Sequence, residues 1–259
     1  MPELPDLQVF SKNLHQELSG KTIKKIIVHN TKKLKIPAKL FQTTLKGQVL
    51  ESVYREGKEL HFEFSKGDVL ALHLMLKGKL YLFKKKNQQK YTIIEILFDD
   101  DTGLALTDFQ GQATPTLNPQ DRDAIDALSK GMNSNFLQKE LSKTKATIKN
   151  LLLNQEIIRG IGNAYADEIL WACRLSPFAI CNKIPATKIK ELARSIKTVL
   201  KNAEKKIVKK DPGIISGEIR DFLSIHNSKK THSPTGAIIK KDTSGSRKTY
   251  YTDEQQLFK

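Results

Sequence analysis

The sequence has few of the residues that disulfide-rich, zinc-binding or membrane proteins need. Its 259 residues include two cysteines, Cys173 and Cys181, too few for a disulfide scaffold or a four-cysteine zinc site. We expect both to be buried as small apolar residues in a reducing cytosol. No run approaches the ~20 apolar residues that cross a bilayer, and the acidic, proline-rich start predicts no signal peptide. These absences favour a cytoplasmic protein with no membrane partner.

Acidic residues are outnumbered, with 28 Asp+Glu against 44 Lys+Arg, so the formal net charge is +16. Such an excess indicates a polyanionic partner, with nucleic acid the leading candidate. Charge alone does not distinguish DNA from RNA or anionic lipid, and a basic protein without such a partner stays an alternative. A hydrophobic fraction of 39% is enough for a core, and the length suggests one large or two small domains.

Hydrophobic spacing predicts a helix, then strands, then further helices. The spacing of Leu7, Phe10, Leu14 and Leu18 predicts a helix over 6–19. A connector is expected over 112–137 and helices over 138–208. The basic tail contains two β-like pieces, Ala237–Lys240 and Lys248–Thr252. Apolar or alternating runs predict six strands: Thr22–Val28, Val49–Tyr54, Leu60–Phe64, Val69–Leu74, Leu80–Phe83 and Ile93–Phe98. Strands at this spacing are typical of an antiparallel sandwich or barrel.

Pro2 is a candidate nucleophile. An initiator methionine is normally removed before a small residue, which would leave Pro2 with a free secondary amine. An α-amine has a pKa of about 8, so part of it is neutral and nucleophilic at pH 7. Such an amine attacks a sugar aldehyde or C1′ and forms an iminium ion. Glu3 stands next to it and could transfer protons. A Met-Pro start often has no function, so this interpretation depends on the motifs that follow.

Four motifs, in order, resemble the formamidopyrimidine-DNA glycosylase / endonuclease VIII family. They are the Pro-Glu-Leu-Pro-Asp start from Pro2, the Gly57-Lys58 turn, the His73–Gly78 segment and the run Gly-Ile-Gly-Asn-Ala-Tyr-Ala-Asp-Glu over 160–168. The last is the most specific. Its glycines permit tight turns, and Asn163 then lies at a helix N-terminus as an N-cap, where backbone N–H groups favour a phosphate.

The resemblance implies an α+β fold. It consists of an N-terminal helix plus an eight-stranded antiparallel β-sandwich, then a helix-two-turn-helix domain with a zincless β-hairpin finger. The domains expected are 1–125, catalytic; 126–228, DNA-binding; and 229–259, the finger hairpin. The family resemblance also implies a monomer.

The resemblance also assigns roles to residues. Pro2, Glu3 and Lys58 would be catalytic, Lys58 by reaching the phosphate beside the lesion, with Asp6 as a possible second acid. The residues expected to contact DNA are His73, Leu76, Asn163 and Arg247. The implied partner is damaged DNA, duplex or single-stranded. No cofactor is expected, because the amine itself serves as the electron sink.

The finger lacks the family's four cysteines. The aligned positions are His232, Thr235, Thr252 and Gln255, a set that cannot form a normal tetrahedral zinc site. We therefore expect no metal. The apolar stretch Ala237–Ile239, the turn Thr243–Ser246 and the strand Lys248–Tyr251 still suggest a hairpin. Arg247 falls at the position of the family's finger arginine, whose planar fork suits phosphate.

The residues that would fill the gap left by an extruded base are altered. Leu76 aligns with the family's methionine wedge, but Gly111 and Gln112 occupy the arginine and phenylalanine positions of a later loop. Phe109 and Gln110 are alternatives after a shift of one or two residues. Three hypotheses follow: a bifunctional glycosylase with lyase activity, an enzyme acting mainly on abasic or single-stranded sites, and a non-catalytic binder of damaged DNA.

Overall fold

The structure is a computed structural model that describes residues 1–244 and 247–259. It divides into two compact units, Met1–Asp121 with Ile207–Glu218, and Arg122–Lys206 with Ile219–Lys259. The helices are α1 Leu4–Leu18, α2 Ala38–Leu45, α3 Ser134–Ser142, α4 Ile148–Leu153, α5 Asn163–Ala172 and α6 Ala186–Lys210. The strands are β1 Ile23–Val28, β2 Leu50–Glu56, β3 Glu59–Phe64, β4 Val69–His73, β5 Lys79–Lys84, β6 Thr92–Phe98, β7 Thr102–Thr107, β8 Thr114–Leu117, β9 Ile125–Asp126, β10 Ile158–Arg159, β11 Lys240–Ser244 and β12 Arg247–Tyr251.

The first unit packs two helices, α1 and α2, on two antiparallel sheets. One sheet has the strand order β1-β6-β7-β5 and the other β2-β3-β4-β8. Their inward side chains and the apolar face of α1 share one core, to which the sheets contribute Phe62 and Leu106 and the helix Phe10. Eight strands in two sheets and an N-terminal helix confirm the predicted sandwich.

Two strands of this unit escaped the sequence analysis. β7 contains Gly103, where a Cβ atom would lie 2.1 Å from the Phe83 ring, so only glycine leaves room for that ring to pack there. β8 contains Pro115 and lies in the expected connector 112–137, which was therefore wrong there. Proline is tolerated because β8 is an edge strand, which among the described strands pairs with β4 alone.

The second unit is mainly helical. The short parallel pair β9–β10 aligns Ile125 with Ile158, α5 packs against α4, and β11 and β12 form an antiparallel hairpin. The first tail strand begins at Lys240, whereas Ala237–Lys240 was expected. Of the predicted turn Thr243–Ser246, residues 243 and 244 belong to β11, and 245 and 246 lie outside the described residues.

Both cysteines, Cys173 and Cys181, are buried in the second unit. Burial raises the pKa of the Cys173 thiol to about 12 and that of Cys181 to about 11. Among the described residues, no helix is both long and apolar enough to span a bilayer.

Candidate functional site

The start of α1 buries the predicted nucleophile and both acids. Pro2, Glu3 and Asp6 are all buried. Glu3 is the N-cap of α1 and forms a capping box with Asp6: each side chain accepts the other residue's backbone N–H, and the Glu3 N–H to Asp6 Oδ2 distance is 2.8 Å. The two carboxylates therefore fix the backbone that directly follows Pro2. Although the aspartate side chain is shorter than the family's glutamate at this position, the Asp6 carboxylate still reaches the Glu3 N–H.

Lys58 lies in the two-residue turn between β2 and β3. Gly57 takes a φ of 56° there, the left-handed conformation that suits the first central position of such a hairpin. Arg55 connects the turn to the helix: its Nε donates to Gln8 Oε1 of α1 and its Nη1 donates to the Gly57 carbonyl, both at 3.0 Å. The half-buried Lys58 is thus carried by a turn tied to the second turn of α1.

The turn after β4 presents Leu76 and is built around Gly78. A Cβ atom at Gly78 would lie 2.2 Å from the Leu74 carbonyl oxygen, so only glycine closes this turn. Met75 has a φ of 52°, and its N–H donates to His73 Nδ1 at 3.1 Å. Leu76 is 61% exposed. The turn therefore holds an apolar side chain out from the surface, while the His73 ring supports the backbone behind it.

The loop 108–113 lies beside that turn. Strand pairing places Thr114 opposite His73 and Thr107 opposite Lys79, so both loops join the same strand ends. The Asp108 carboxylate accepts the N–H groups of Gln110, Gln112 and Ala113 at 2.8 to 2.9 Å. Phe109 is 62% exposed. The sequence alignment left the replacement for the family's plug open, and this geometry places Phe109 on the loop next to Leu76.

Asn163 begins α5 in the second unit. Gly162 is the N-cap, so Asn163 is the first helical residue, which corrects the expected N-cap assignment. Gly160, with a φ of 101°, makes the turn before it. The Asn163 side chain donates from Nδ2 to the Lys248 carbonyl oxygen at 2.9 Å. This bond joins the helix start to the residue that follows Arg247.

A buried ionic network lies under the same hairpin, and the sequence analysis did not anticipate it. Lys149 Nζ is 2.6 Å from Asp167 Oδ1 and donates to Thr249 Oγ1 at 2.8 Å. Asp167 Oδ2 is 2.7 Å from His226 Nδ1 and accepts the Tyr250 N–H at 3.0 Å. The network connects α4, α5 and β12. It fixes the strand whose first residue is the exposed Arg247.

The finger is held together by a carboxylate. Glu254 Oε2 accepts hydrogen bonds from Thr235 Oγ1 at 2.8 Å and Thr252 Oγ1 at 3.3 Å, and lies 2.5 Å from Arg174 Nη1. The hydrogen bond from Thr235, followed by the hydrogen bond and charge of Arg174, lowers the pKa of Glu254, while desolvation opposes the shift. We call Glu254 and these three partners the Glu254 hub; Glu254, Thr235 and Thr252 come from the finger itself, and Arg174 does not.

The residues at the family's zinc positions do not fit the metal. Gln255 Oε1 accepts the Thr252 N–H and its Nε2 donates to the Leu175 carbonyl, both at 2.8 Å. Thr235 is bonded to Glu254, and His232 Nδ1 is 3.0 Å from Thr231 Oγ1. The set thus offers one imidazole, with hydroxyl and amide groups engaged with protein partners, and lacks the thiolates that zinc prefers. No group of three acidic, histidine or cysteine residues that could hold a metal occurs in the described ranges.

Two family models match the chain. The formamidopyrimidine-DNA glycosylase N-terminal domain matches residues 1–114, and the H2TH domain of the same enzyme matches residues 124–212. The chain belongs to the formamidopyrimidine-DNA glycosylase family. The family comprises bifunctional DNA glycosylases of base excision repair with abasic-site lyase activity, so the predicted family and enzyme class are confirmed.

Relatives and solved structures agree with this assignment. A formamidopyrimidine-DNA glycosylase from Wolbachia pipientis is 32% identical over 78% of both chains, and one from Bacillus cereus is 30% identical over 97% of both. The structure of Lactococcus lactis Fpg with DNA containing an abasic site has a TM-score of 0.87 at 23% identity, covering 98% of this chain and 100% of that one. This likeness confirms the α+β fold.

The structure thus places the predicted family residues on two units. Pro2, Glu3 and Asp6 occur together at the start of α1, and Lys58 lies on a turn bonded to that helix. In the second unit, Asn163 is the first residue of α5 and Arg247 is the first residue of β12. The Asn163 side chain joins the two elements by its hydrogen bond to the Lys248 carbonyl oxygen. The sequence analysis missed one acid of the first unit, Glu218, whose side chain contacts the Met1 amine.

Proposed function

We propose that this member of the family excises damaged bases from DNA and then cleaves the abasic site, with the amine of Pro2 as nucleophile. Removal of Met1 would expose that amine. The observation that carries the proposal is the start of α1, where Pro2 is buried and the adjacent residue Glu3 is fixed by a capping box with Asp6. A preorganised nucleophile loses less conformational freedom on reaching the reacting carbon.

The reaction proceeds through an iminium ion. The Pro2 nitrogen attacks C1′, and the damaged base leaves with the bonding electrons and the proton released by that nitrogen. Cleavage of the C1′–O4′ bond then opens the ring and gives a cationic Schiff base. Glu3 supplies a proton for ring opening and accepts one during elimination. The iminium draws electrons from C2′, so the 3′ phosphate leaves by β-elimination and the 5′ phosphate can follow by δ-elimination. Hydrolysis of the iminium returns the amine.

Phosphate contacts would position the DNA. We assign Lys58, Asn163 and Arg247 to phosphates, since a lysine ammonium, a helix N-terminus and a guanidinium all favour that anion. The basic net charge of +16 adds an attraction without sequence preference. Residues 1–125 would supply catalysis, while 126–228 and 229–259 would grip DNA. This substrate places the protein with chromosomal DNA in the cytoplasm.

The base-extrusion gap would be filled from the first unit. Leu76 and Phe109 stand on adjacent loops and are each more than 60% exposed. Apolar wedges of this kind enter between base steps when a nucleotide is extruded. The half-buried His73 would support the Leu76 turn and contact the backbone of the same strand.

Borohydride trapping on an abasic duplex tests the nucleophile. We expect a covalent complex with the wild-type chain whose intact mass shows Met1 removed, and none with Pro2→Gly. Pro5→Gly is the matched control, because it alters the same end of α1 without touching the amine, and it should trap. An untrapped wild-type protein that still binds the duplex would instead support the non-catalytic binder.

A second candidate, a lyase acting mainly on abasic or single-stranded sites, is favoured by the loop 108–113. Gly111 and Gln112 occupy the plug positions, which leaves Phe109 as the loop's large exposed apolar group. A panel of 8-oxoguanine, formamidopyrimidine, oxidised pyrimidine and abasic substrates, in duplex and single strand, separates the two. Release of bases from duplex DNA supports the glycosylase. Cleavage confined to abasic sites supports the lyase.

A further inference from the structure

Glu218 contacts the chain's terminal amine. Its Oε1 forms an ion pair with the Met1 ammonium, although the two residues are 217 positions apart. Both residues belong to the first unit. The contact therefore brings a carboxylate from a distant segment to the end of α1 where Pro2 lies.

The segment that carries Glu218 is anchored to the sandwich. The Asn13 side chain of α1 donates to the Ile214 carbonyl at 2.8 Å, and Ser216 Oγ accepts the Leu80 N–H at 3.0 Å. Ile214 and Ile215 pack on the apolar core. Gly217 has a φ of 92°, a left-handed conformation that turns the chain just before Glu218. These contacts anchor the backbone of 214–217, so the Glu218 carboxylate is held near the N-terminus.

Removal of Met1 shifts the terminal amine by one residue. The backbone advances by no more than about 3.6 Å per residue, so the Pro2 nitrogen lies within that distance of the Met1 nitrogen. A glutamate side chain with three rotatable bonds covers such a shift. The carboxylate that pairs with the Met1 ammonium is thus within reach of the Pro2 ammonium.

The neighbouring carboxylates have a different task. Glu3 and Asp6 each accept a backbone N–H within the capping box, which orients them toward the first turn of α1. Glu218 contacts the terminal amine directly. The capping pair therefore fixes the backbone, Glu3 also serves the sugar ring in the proposed reaction, and Glu218 contacts the amine.

We propose that Glu218 is a catalytic base for Pro2. This inference rests on the proposed function of the amine. The Glu218 carboxylate takes one proton from the Pro2 ammonium, and the freed nitrogen lone pair forms the bond to C1′ as the leaving group departs with its electrons and the nitrogen's second proton. The C1′–O4′ bond then breaks, with O4′ taking the proton that Glu3 supplies, as the nitrogen lone pair forms the C=N bond. The resulting iminium keeps a positive charge, which the deprotonated form of Glu218 stabilises once its proton passes to solvent. No further reactant is needed.

The rate of borohydride trapping on an abasic duplex tests this role. We expect Glu218→Gln and Glu218→Ala to lower the single-turnover rate about 100-fold, the lower end of the effect of a positioned base. Formate should restore the rate of Glu218→Ala in proportion to its concentration, while Glu218→Gln, whose amide fills the space, should not respond. Glu51→Ala, which removes an exposed carboxylate of the same unit, should trap like the wild type.

The outcomes distinguish the two proposals. Loss of trapping in Pro2→Gly with unchanged rates in both Glu218 variants overturns the role of Glu218 and leaves the nucleophile intact. A slow Glu218→Ala that formate does not rescue, with circular dichroism like the wild type, also overturns the base. Failure of the wild-type protein to trap overturns the proposed function, and the role of Glu218 with it.

Discussion

The sandwich and the finger of this chain are stabilised by different means. The sandwich buries five phenylalanines among aliphatic side chains: Phe10, Phe41, Phe62, Phe64 and Phe98. The apolar cluster at the finger has three buried members, Ile225, Ile239 and Tyr250. Around it are buried polar side chains, including Lys149, Asp167 and Thr249. A small hairpin cannot bury enough apolar surface for independent stability, and here ionic and hydrogen-bonded contacts take that role.

This difference shows what can replace a structural metal. A metal ion fixes a hairpin by binding ligands from both strands at one point. The Glu254 hub does the same with hydrogen bonds from Thr235 and Thr252 and a charge from Arg174. The Lys149–Asp167 pair adds a second attachment under β12. Such contacts depend on protonation, whereas the apolar core of the sandwich does not.

Breaking the buried ion pair gives the largest expected effect. Asp167→Asn leaves the Lys149 ammonium, 1% exposed, without its counter-charge. We expect the free energy of unfolding of the second unit to fall by about 4 kcal/mol, within the range for a broken buried pair. Urea unfolding measures this, and Glu140→Gln, which breaks the surface pair with Lys143, is the control. A loss below about 1 kcal/mol would contradict a structural role for the network.

Truncating the sandwich core gives the next effect. Leu106→Ala removes a side chain that is 1% exposed and should cost about 3 kcal/mol, from lost burial and the cavity that remains. The loss should be the same at pH 5 and pH 8, because no titratable group is involved. Leu82→Ala, at a residue 41% exposed, should cost much less. A pH-dependent loss in Leu106→Ala would remove the contrast between the two regions.

Neutralising the finger hub gives the smallest effect, and it depends on pH. The pKa of Glu254 lies below its ordinary value of 4.5, so its stabilising contribution is present above that pH and disappears as the pH falls through the lowered value. Glu254→Gln should therefore lower the melting temperature at pH 7 and match the wild type under strongly acidic conditions. A difference that persists in acid would mean that the charge is not responsible; Glu51→Gln is the control.

The sequence predicted the elements whose side chains repeat regularly. α1 and six sandwich strands were predicted, with ends within two residues of those observed, because their apolar residues follow the periods of helix and strand. β7 and β8 were missed because Gly103 and Pro115 interrupt that pattern. Both residues are explained by tertiary structure: the Phe83 ring packs against Gly103, and Pro115 lies on an edge strand.

The candidate site divides in the same way. Pro2, Lys58 and Asn163 lie in contiguous motifs, which a sequence displays directly. Lys149 and Asp167 also lie in or near the helix-two-turn-helix motif, but Lys149 bonds Thr249, 100 residues later, and Asp167 bonds the Tyr250 N–H, 83 residues later. Glu218 is further still from the terminus it contacts. Contacts over such separations follow from the fold and leave no local spacing to recognise.

The carboxylate of Asp108 fixes the backbone conformation of the loop 108–113 independently of most of its side chains. Three backbone N–H groups of the loop converge on that side chain, and none of them requires a particular side chain at its own residue. Positions 109, 110 and 112 are therefore open to exchange while the backbone path is preserved. A designer could graft other wedge residues onto this frame, and natural variation in the chain could retune its choice of lesion by the same route.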